Sequence, residues 1–208
     1  MVDILVGRPS EHTFDAPTLS SLYRFRHHIF HDKLGWDVSS YEGEERDDYD
    51  TIDPVYIVSQ DEENHVDGCG RLLPTQGPYM LKDVFPQLLR GEQAPSAPDV
   101  WELSRCAVQT PDRDARLQAS FSYRSFEIMH EAYKFAIKNG VREYVMVTSV
   151  AIERMMKAGG LKLQRFGDGK AQHVGKVLTV ACRIPVNSES HAAILNAMET
   201  HVPGRRAA

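Results

Sequence analysis

The segment Trp101-Glu102-Leu103-Ser104-Arg105 sets two charged residues inside an otherwise apolar, β-compatible run. Burying an unpaired charge is costly, so such residues are either paired or put to use. Alternation along a strand places Glu102 and Ser104 on one face and Trp101, Leu103 and Arg105 on the other. A carboxylate aimed into a cleft can take a proton, directly or through one water; an internal Glu–Arg ion pair is the structural alternative. A second constellation is Arg26-x-x-x-Phe30-x-x-x-x-x-Trp36. Arg26 and Phe30 share a helix face, and Trp36 follows the helix. A guanidinium grips carboxylate in a fork, while aromatic rings face a sulfonium or stack on a purine. The alternative is an aromatic core with a surface arginine. The run Glu42-Gly43-Glu44-Glu45-Arg46-Asp47-Asp48-Tyr49-Asp50 is a solvated loop, or else it turns Asp47 and Asp50 inward to meet Arg26 or Arg71. Arg71 follows Gly68-Cys69-Gly70, glycines that permit close approach of a ligand or mark a bulge.

Two further patterns point to less. His27-His28-x-x-His31 has helical spacing suited to a metal, but no matching acid or cysteine set is evident, so no metal is expected. Gln172-x-x-Gly175-x-Val177 partly matches a pyrophosphate-binding loop, yet Val177 stands where glycine or alanine belongs.

The elements needed to carry these residues follow from periodicity. A strand is expected over 2–6. A helix starts near Pro17, with Leu19, Leu22, Tyr23, Arg26, Ile29 and Phe30 at helical spacing, and ends at Gly35. Residues 37–53 read as a polar loop. Val55–Ser59 and Val66–Leu73 read as strands around a turn at Asp61–Asn64, and a short helix fits near 80–90. Val100–Val108 is β-compatible. The longest helical pattern runs from Leu117 to Lys138, with Phe121, Phe126, Met129, Ala132, Tyr133 and Ala136 in one stripe. A strand over Val141–Thr148, a helix over 150–158, strands near 161–166 and 174–184, and a helix over 189–200 complete the chain. The order gives one α/β domain, residues 1–208, with a mixed, mostly antiparallel twisted sheet flanked by helices.

The 208 residues are 42% hydrophobic and 25% charged, enough to bury a core without a disulfide or metal. Cys69, Cys106 and Cys182 show no CxxC spacing, which fits a reducing compartment. The net charge of −5 gives no reason to expect nucleic acid. No signal peptide and no stretch near the ~20 apolar residues of a membrane span is evident. A cytoplasmic protein without membrane insertion is expected; monomer is plausible, and the oligomeric state is open.

Together, Arg26, Phe30, Trp36, Asp47, Asp50, Arg71, Glu102, Ser104 and Arg105 resemble the LuxI family of acyl-homoserine lactone synthases in identity, order and spacing, over roughly residues 20–185. The resemblance implies an N-acetyltransferase-like fold with a cleft between splayed strands. It implies an acyltransferase of quorum sensing and autoinducer synthesis that makes N-acyl-L-homoserine lactone and releases methylthioadenosine. Its partners would be S-adenosyl-L-methionine, as substrate rather than cofactor, and an acyl thioester on acyl carrier protein or coenzyme A. No cofactor is expected. Glu102, Arg26, Asp47 and Asp50 would be catalytic. Phe30, Trp36, Arg71, Ser104 and Arg105 would bind S-adenosylmethionine. Met146, Thr148 and Ser149 would shape the acyl pocket, with Thr148 bonding a 3-oxo oxygen. Arg154, Lys157, Lys162 and Arg165 would dock an acidic carrier protein. The rival readings are a CoA-dependent N-acetyltransferase of a small amine, which should carry a good pyrophosphate loop, and a non-catalytic binding module for acyl lactone or nucleoside.

Overall fold

The computed structural model describes residues 3–109 and 123–200. Five α-helices and ten strands lie in these two stretches, with shorter 3-10 and π turns between them. The strands are β1 Asp3–Gly7, β2 Ser40–Tyr41, β3 Glu44–Glu45, β4 Val55–Gln60, β5 Val66–Pro74, β6 Val100–Val108, β7 Glu143–Ser149, β8 Gln164–Arg165, β9 Gln172–Val174 and β10 Val177–Pro185. The helices are α1 Ala16–Arg26, α2 Met80–Asp83, α3 Tyr123–Asn139, α4 Val150–Ala158 and α5 Ser188–Thr200. The expected helix from Leu117, and Phe121 within it, lies outside the described residues up to Tyr123.

Eight strands form one sheet in the order β1-β4-β5-β6-β7-β10-β8, with β9 paired to β10. Every pairing is antiparallel except β6 with β7. That parallel contact is short: Val100, Trp101 and Glu102 pair with Glu143, Tyr144 and Val145. Beyond it β6 stays on β5 as far as Val108, and β7 stays on β10 as far as Ser149. The two strands therefore part after Glu102, leaving a splay with one backbone edge on each side.

Alternation sorts the apolar residues. Val55, Ile57, Leu72, Leu103, Tyr144, Met146, Val180 and Cys182 pack with Phe126, Met129, Met156 and Ile194 of α3, α4 and α5 on one face. On the other face Leu73, Val100, Val145 and Ala181 pack under Leu81 and Leu88, and Tyr56, Val58 and Cys69 pack under Leu22 and Phe25 of α1. Between these last two clusters lies the charged residues' place.

Local chemistry explains several departures from the expected elements. Asp15 caps α1 by accepting from the Thr18 N–H at 2.8 Å. Residues 27–33 continue as a π-helical turn, in which Leu34 donates to the Ile29 carbonyl at 3.0 Å. The expected loop of 37–53 holds a tight hairpin: Glu42 and Gly43 both take positive φ (50° and 77°), so β2 and β3 pair directly and Glu45 turns inward. Leucine-rich 161–166 yields only two strand residues, and a turn at Gly175 splits the expected 174–184 strand into β9 and β10.

Candidate active site

Three arginines and three carboxylates close into a ring of alternating charge. Arg26 donates through Nε to Glu45 and through Nη1 and Nη2 to both oxygens of Asp50, at 2.8 and 2.9 Å. Arg71 donates to Asp50 Oδ1 at 2.7 Å and grips Asp47 with both terminal nitrogens. Arg105 donates to Asp47 at 2.8 Å and to Glu45 at 3.0 Å, which returns the circuit to Arg26. Arg26, Arg71 and Glu45 are 1%, 0% and 0% exposed. Each charge is flanked by opposite ones, the condition under which buried ions are tolerated.

The elements deliver these groups from four directions. Arg26 ends α1, Glu45 comes from the hairpin, and Asp47 and Asp50 come from a 3-10 turn over Asp48–Asp50. Arg71 points from β5, directly across from Tyr56 on β4, whose hydroxyl donates to Asp50 at 2.6 Å. Ser104 on β6 accepts from Arg71 Nε at 3.3 Å. Strict alternation would send Arg105 to the opposite face from Glu102. Instead Arg105 has φ +51° and sits in a bulge, where register jumps from Arg71–Ser104 to Cys69–Ala107. The extra residue returns Arg105 to the charged face.

The electrostatics follow from burial and partners. Burial works against the Arg26 charge, but Asp50 and Glu45 outweigh it and hold the guanidinium protonated. Burial likewise raises the Asp50 carboxyl, yet Arg26, Arg71 and the Tyr56 hydroxyl hold it well below the usual range. Glu102 goes the other way. It is 1% exposed, and burial pushes its carboxyl up, against the Leu81 and Met80 amides and the Arg71 and Arg105 charges. Its oxygens accept the Met80 and Leu81 N–H groups at 2.9 and 2.7 Å, so it lies under α2 rather than open to a cleft. Met80 ties Glu102 and the ring together, since its sulfur also lies 3.2 Å from Arg71 Nη2 and 3.3 Å from Arg105 Nη1.

Phe30 is buried beside the ring with Arg105 over its face, and Trp36 stacks on it at 5.2 Å and 15°. Trp36 keeps 39% of its surface exposed, so one wall of this corner is an accessible aromatic plane. Arg26 has no such access: its fork holds Asp50, not a ligand. Sequence reasoning passed over Glu45, Tyr56 and Met80. Only Glu45 left a signal, an inward position in a two-residue strand after a Glu-Gly turn.

The remaining expected residues fall elsewhere. Met146 and Thr148 face the α3–α5 side of the sheet, away from the ring, and Ser149 caps α4 by accepting from the Ile152 N–H at 3.1 Å. All three lie on the part of β7 that has left β6. Of the basic set, Arg165 and Lys157 both bind the buried Glu153, at 2.9 Å from Arg165 Nε and 2.7 Å from Lys157 Nζ, and Lys162 pairs with Glu189 at 2.8 Å. Arg154 is exposed. Gln172 to Val177 forms the β9–β10 hairpin, not a strand-to-helix phosphate loop.

A family model described as autoinducer synthase matches residues 11–194. The chain belongs to the autoinducer synthase family. The synthase is 37% identical to an acyl-homoserine-lactone synthase of Pseudomonas aeruginosa, over 92% of either chain. Its fold matches the crystal structure of the AHL synthase LasI with a TM-score of 0.83, at 36% identity over 93% of this chain and 94% of that one. It also matches TofI, solved in a ternary complex with an inhibitor and MTA, with a TM-score of 0.77, at 32% identity over 94% of this chain and 99% of that one. In the synthase the charged ring, Glu102 and the Phe30–Trp36 pair thus sit beside the β6–β7 splay, on a fold shared with acyl-lactone makers.

Proposed function

We propose that this synthase joins the α-amine of S-adenosyl-L-methionine to an acyl thioester and then closes the homoserine lactone, releasing methylthioadenosine. The observation that carries the site assignment is the position of Glu102, at the last β6–β7 pair before the strands part. There a proton acceptor meets a thioester lying in the splay.

The amine is protonated at neutral pH and attacks only when free. Glu102, held under α2 by the Met80 and Leu81 N–H groups, takes that proton through a water; its raised carboxyl makes it a better acceptor than an ordinary glutamate. The nitrogen lone pair then adds to the thioester carbon. The oxyanion that forms is met by a backbone N–H on the unpaired β6 edge near Ser104–Cys106. Collapse breaks the carbon–sulfur bond with its electron pair on sulfur, and the thiolate leaves as thiol on taking up the second proton that the nitrogen gives up as it becomes an amide. In the second step a carboxylate oxygen attacks the carbon bearing the sulfonium. That bond breaks with its electron pair on sulfur, so methylthioadenosine departs neutral. The enzyme's part there is to fold the chain so that the atoms meet.

Arg26 and Arg71 act as positioning residues, because each is enclosed by carboxylates. The ring's outer edge is Arg105 and Asp47, with side chains 11% and 15% exposed against 4% for Asp50. That edge receives the amino-acid end of the substrate, the carboxylate on Arg105 and the ammonium on Asp47, while Trp36 and Phe30 wall the sulfonium and nucleoside.

The acyl tail passes through the splay to the opposite face, toward Met146 and Thr148. The Thr148 hydroxyl has no hydrogen-bond partner among the described residues, so it is available to a 3-oxo oxygen. The donor is an acyl thioester on carrier protein or coenzyme A. Arg154, Lys157 and Arg165 outnumber Glu153, which leaves positive charge for an acidic carrier.

Mixing the protein with S-adenosylmethionine and an acyl thioester should release methylthioadenosine and lactone in equal amounts. A Glu102→Gln enzyme should lose about 10²–10⁴ in turnover. Unchanged turnover at saturating substrates would remove Glu102 from the mechanism.

A further inference from the structure

The π-helical turn after α1 brings together a group of ligands that the reaction does not use. His27 Nδ1 and His31 Nδ1 lie 3.6 and 2.9 Å from the same oxygen of Asp32. The two rings stack at 4.6 Å with planes 22° apart, and the three donor atoms lie within 4.8 Å of one another. An α-helix would not do this. At 3.6 residues per turn, a residue five positions on stands roughly 140° around the axis, so Asp32 would point away from His27. With i→i+5 bonding, residue 32 returns over residue 27, and a histidine pair that lacked an acid in helical register gains one.

We propose that His27, His31 and Asp32 form a surface site for a zinc-like divalent cation. Two imidazoles and one carboxylate are a borderline donor set that suits Zn²⁺, with water completing a tetrahedron. Ligands on one zinc, each about 2.0–2.2 Å from the metal, stand roughly 3.4 Å apart. The present spacing closes toward that value by rotation of the exposed His31 and Asp32 side chains onto the half-buried His27, whose Nδ1 is already 3.6 Å from Asp32. His28 Nδ1 is 3.5 Å from the other Asp32 oxygen and orients the carboxylate, as an outer-shell partner does. Hard cations that demand several oxygens find only one carboxylate here. The same turn carries Phe30, which supports Trp36 and Arg105, so a bound ion pins the backbone beneath the aromatic wall.

Calorimetric titration of the full chain, free of any histidine tag, with Zn²⁺ tests the site, with Mg²⁺ and Ca²⁺ in parallel. One Zn²⁺ per chain is expected, with no binding of the other two ions at this site. His27→Gln and His31→Gln should each weaken Zn²⁺ binding at least about tenfold, and Asp32→Asn less. His65→Gln, at the other exposed His–acid group, should leave it unchanged. Metal-free variants should melt with the parent, which separates loss of a ligand from loss of fold. Zinc also raises the parent's melting temperature, because it binds only the folded turn. Absence of Zn²⁺ binding, or binding indifferent to both His27→Gln and His31→Gln, overturns the proposal.

Discussion

Arg26 shows why a buried guanidinium here is a matter of stability before catalysis. Three of its donors are taken by Glu45 and Asp50, and almost none of its surface meets water. Replacing it with methionine leaves two buried carboxylates short of a partner. The expected loss is about 3–5 kcal/mol, read from urea unfolding. Asp50 adds a pH signature. Its folded carboxyl titrates well below its unfolded value of about 3.9, because the two arginines and Tyr56 outweigh burial. Its stabilising contribution is therefore whole above about pH 4 and drains away as pH falls toward the folded value. Glu102 is shifted the other way, and the acid limb of kcat/KM should lie above the ordinary glutamate value of 4.5 for that reason. If the limb sat at or below that value, Glu102 would not be the group reporting.

At the scale of elements, the splay of β6 from β7 decides what meets what. Parallel pairing stops at Glu102–Val145, so Glu102 lies at the last pair and Thr148 lies on the part of β7 that has left β6. Thr148→Val keeps shape and removes the hydroxyl. It should cut the preference for 3-oxo over unsubstituted acyl donors by about tenfold, the worth of one hydrogen bond, while leaving the rate with the unsubstituted donor intact. Competition between paired donors measures this directly. Much of this layout was legible beforehand. The strands 55–59, 66–73, 100–108 and 141–148, and the helices 150–158 and 189–200, follow from periodicity because their buried faces are long and regular. The hairpin of β2 and β3 was not legible: its strands are two residues each, and only Glu42 and Gly43 mark the turn. The bulge at Arg105 was not legible either, since nothing in an alternating pattern announces a residue at φ +51°. One misplaced residue of register put Arg105 on the wrong face. The π-helical turn brings Asp32 to His27 in the same unannounced way, since α-helical spacing pairs it only with His28.

Among the described residues the charged ring lies on one face of the sheet and the largest apolar cluster on the other. Among the described residues no helix is long and apolar enough to cross a membrane. At the α4 region Glu153 binds Lys157 and Arg165 while Arg154 stays exposed. If an acidic carrier docks there, raising salt from low to physiological ionic strength should slow its association, because exposed charges are screened beyond about 8–10 Å. The rate with a short, neutral thioester should not change. Equal salt dependence for both donors would move the carrier elsewhere on the surface. The site's residues were legible as a group because their types and order are unusual. Their division of labour was not: which arginine touches substrate depends on depth, and depth depends on the packing of four separate elements.

A loop of six alternating charges has no free end. Deleting one member turns it into an open string whose two ends face each other with like sign, whereas deleting two neighbours of opposite sign leaves a shorter string that is still neutral. Arg26→Met combined with Glu45→Leu should therefore cost less than the two single changes added together, a shortfall on the order of 1–3 kcal/mol. Lineages that abandon this arrangement would do so by paired replacement rather than one position at a time.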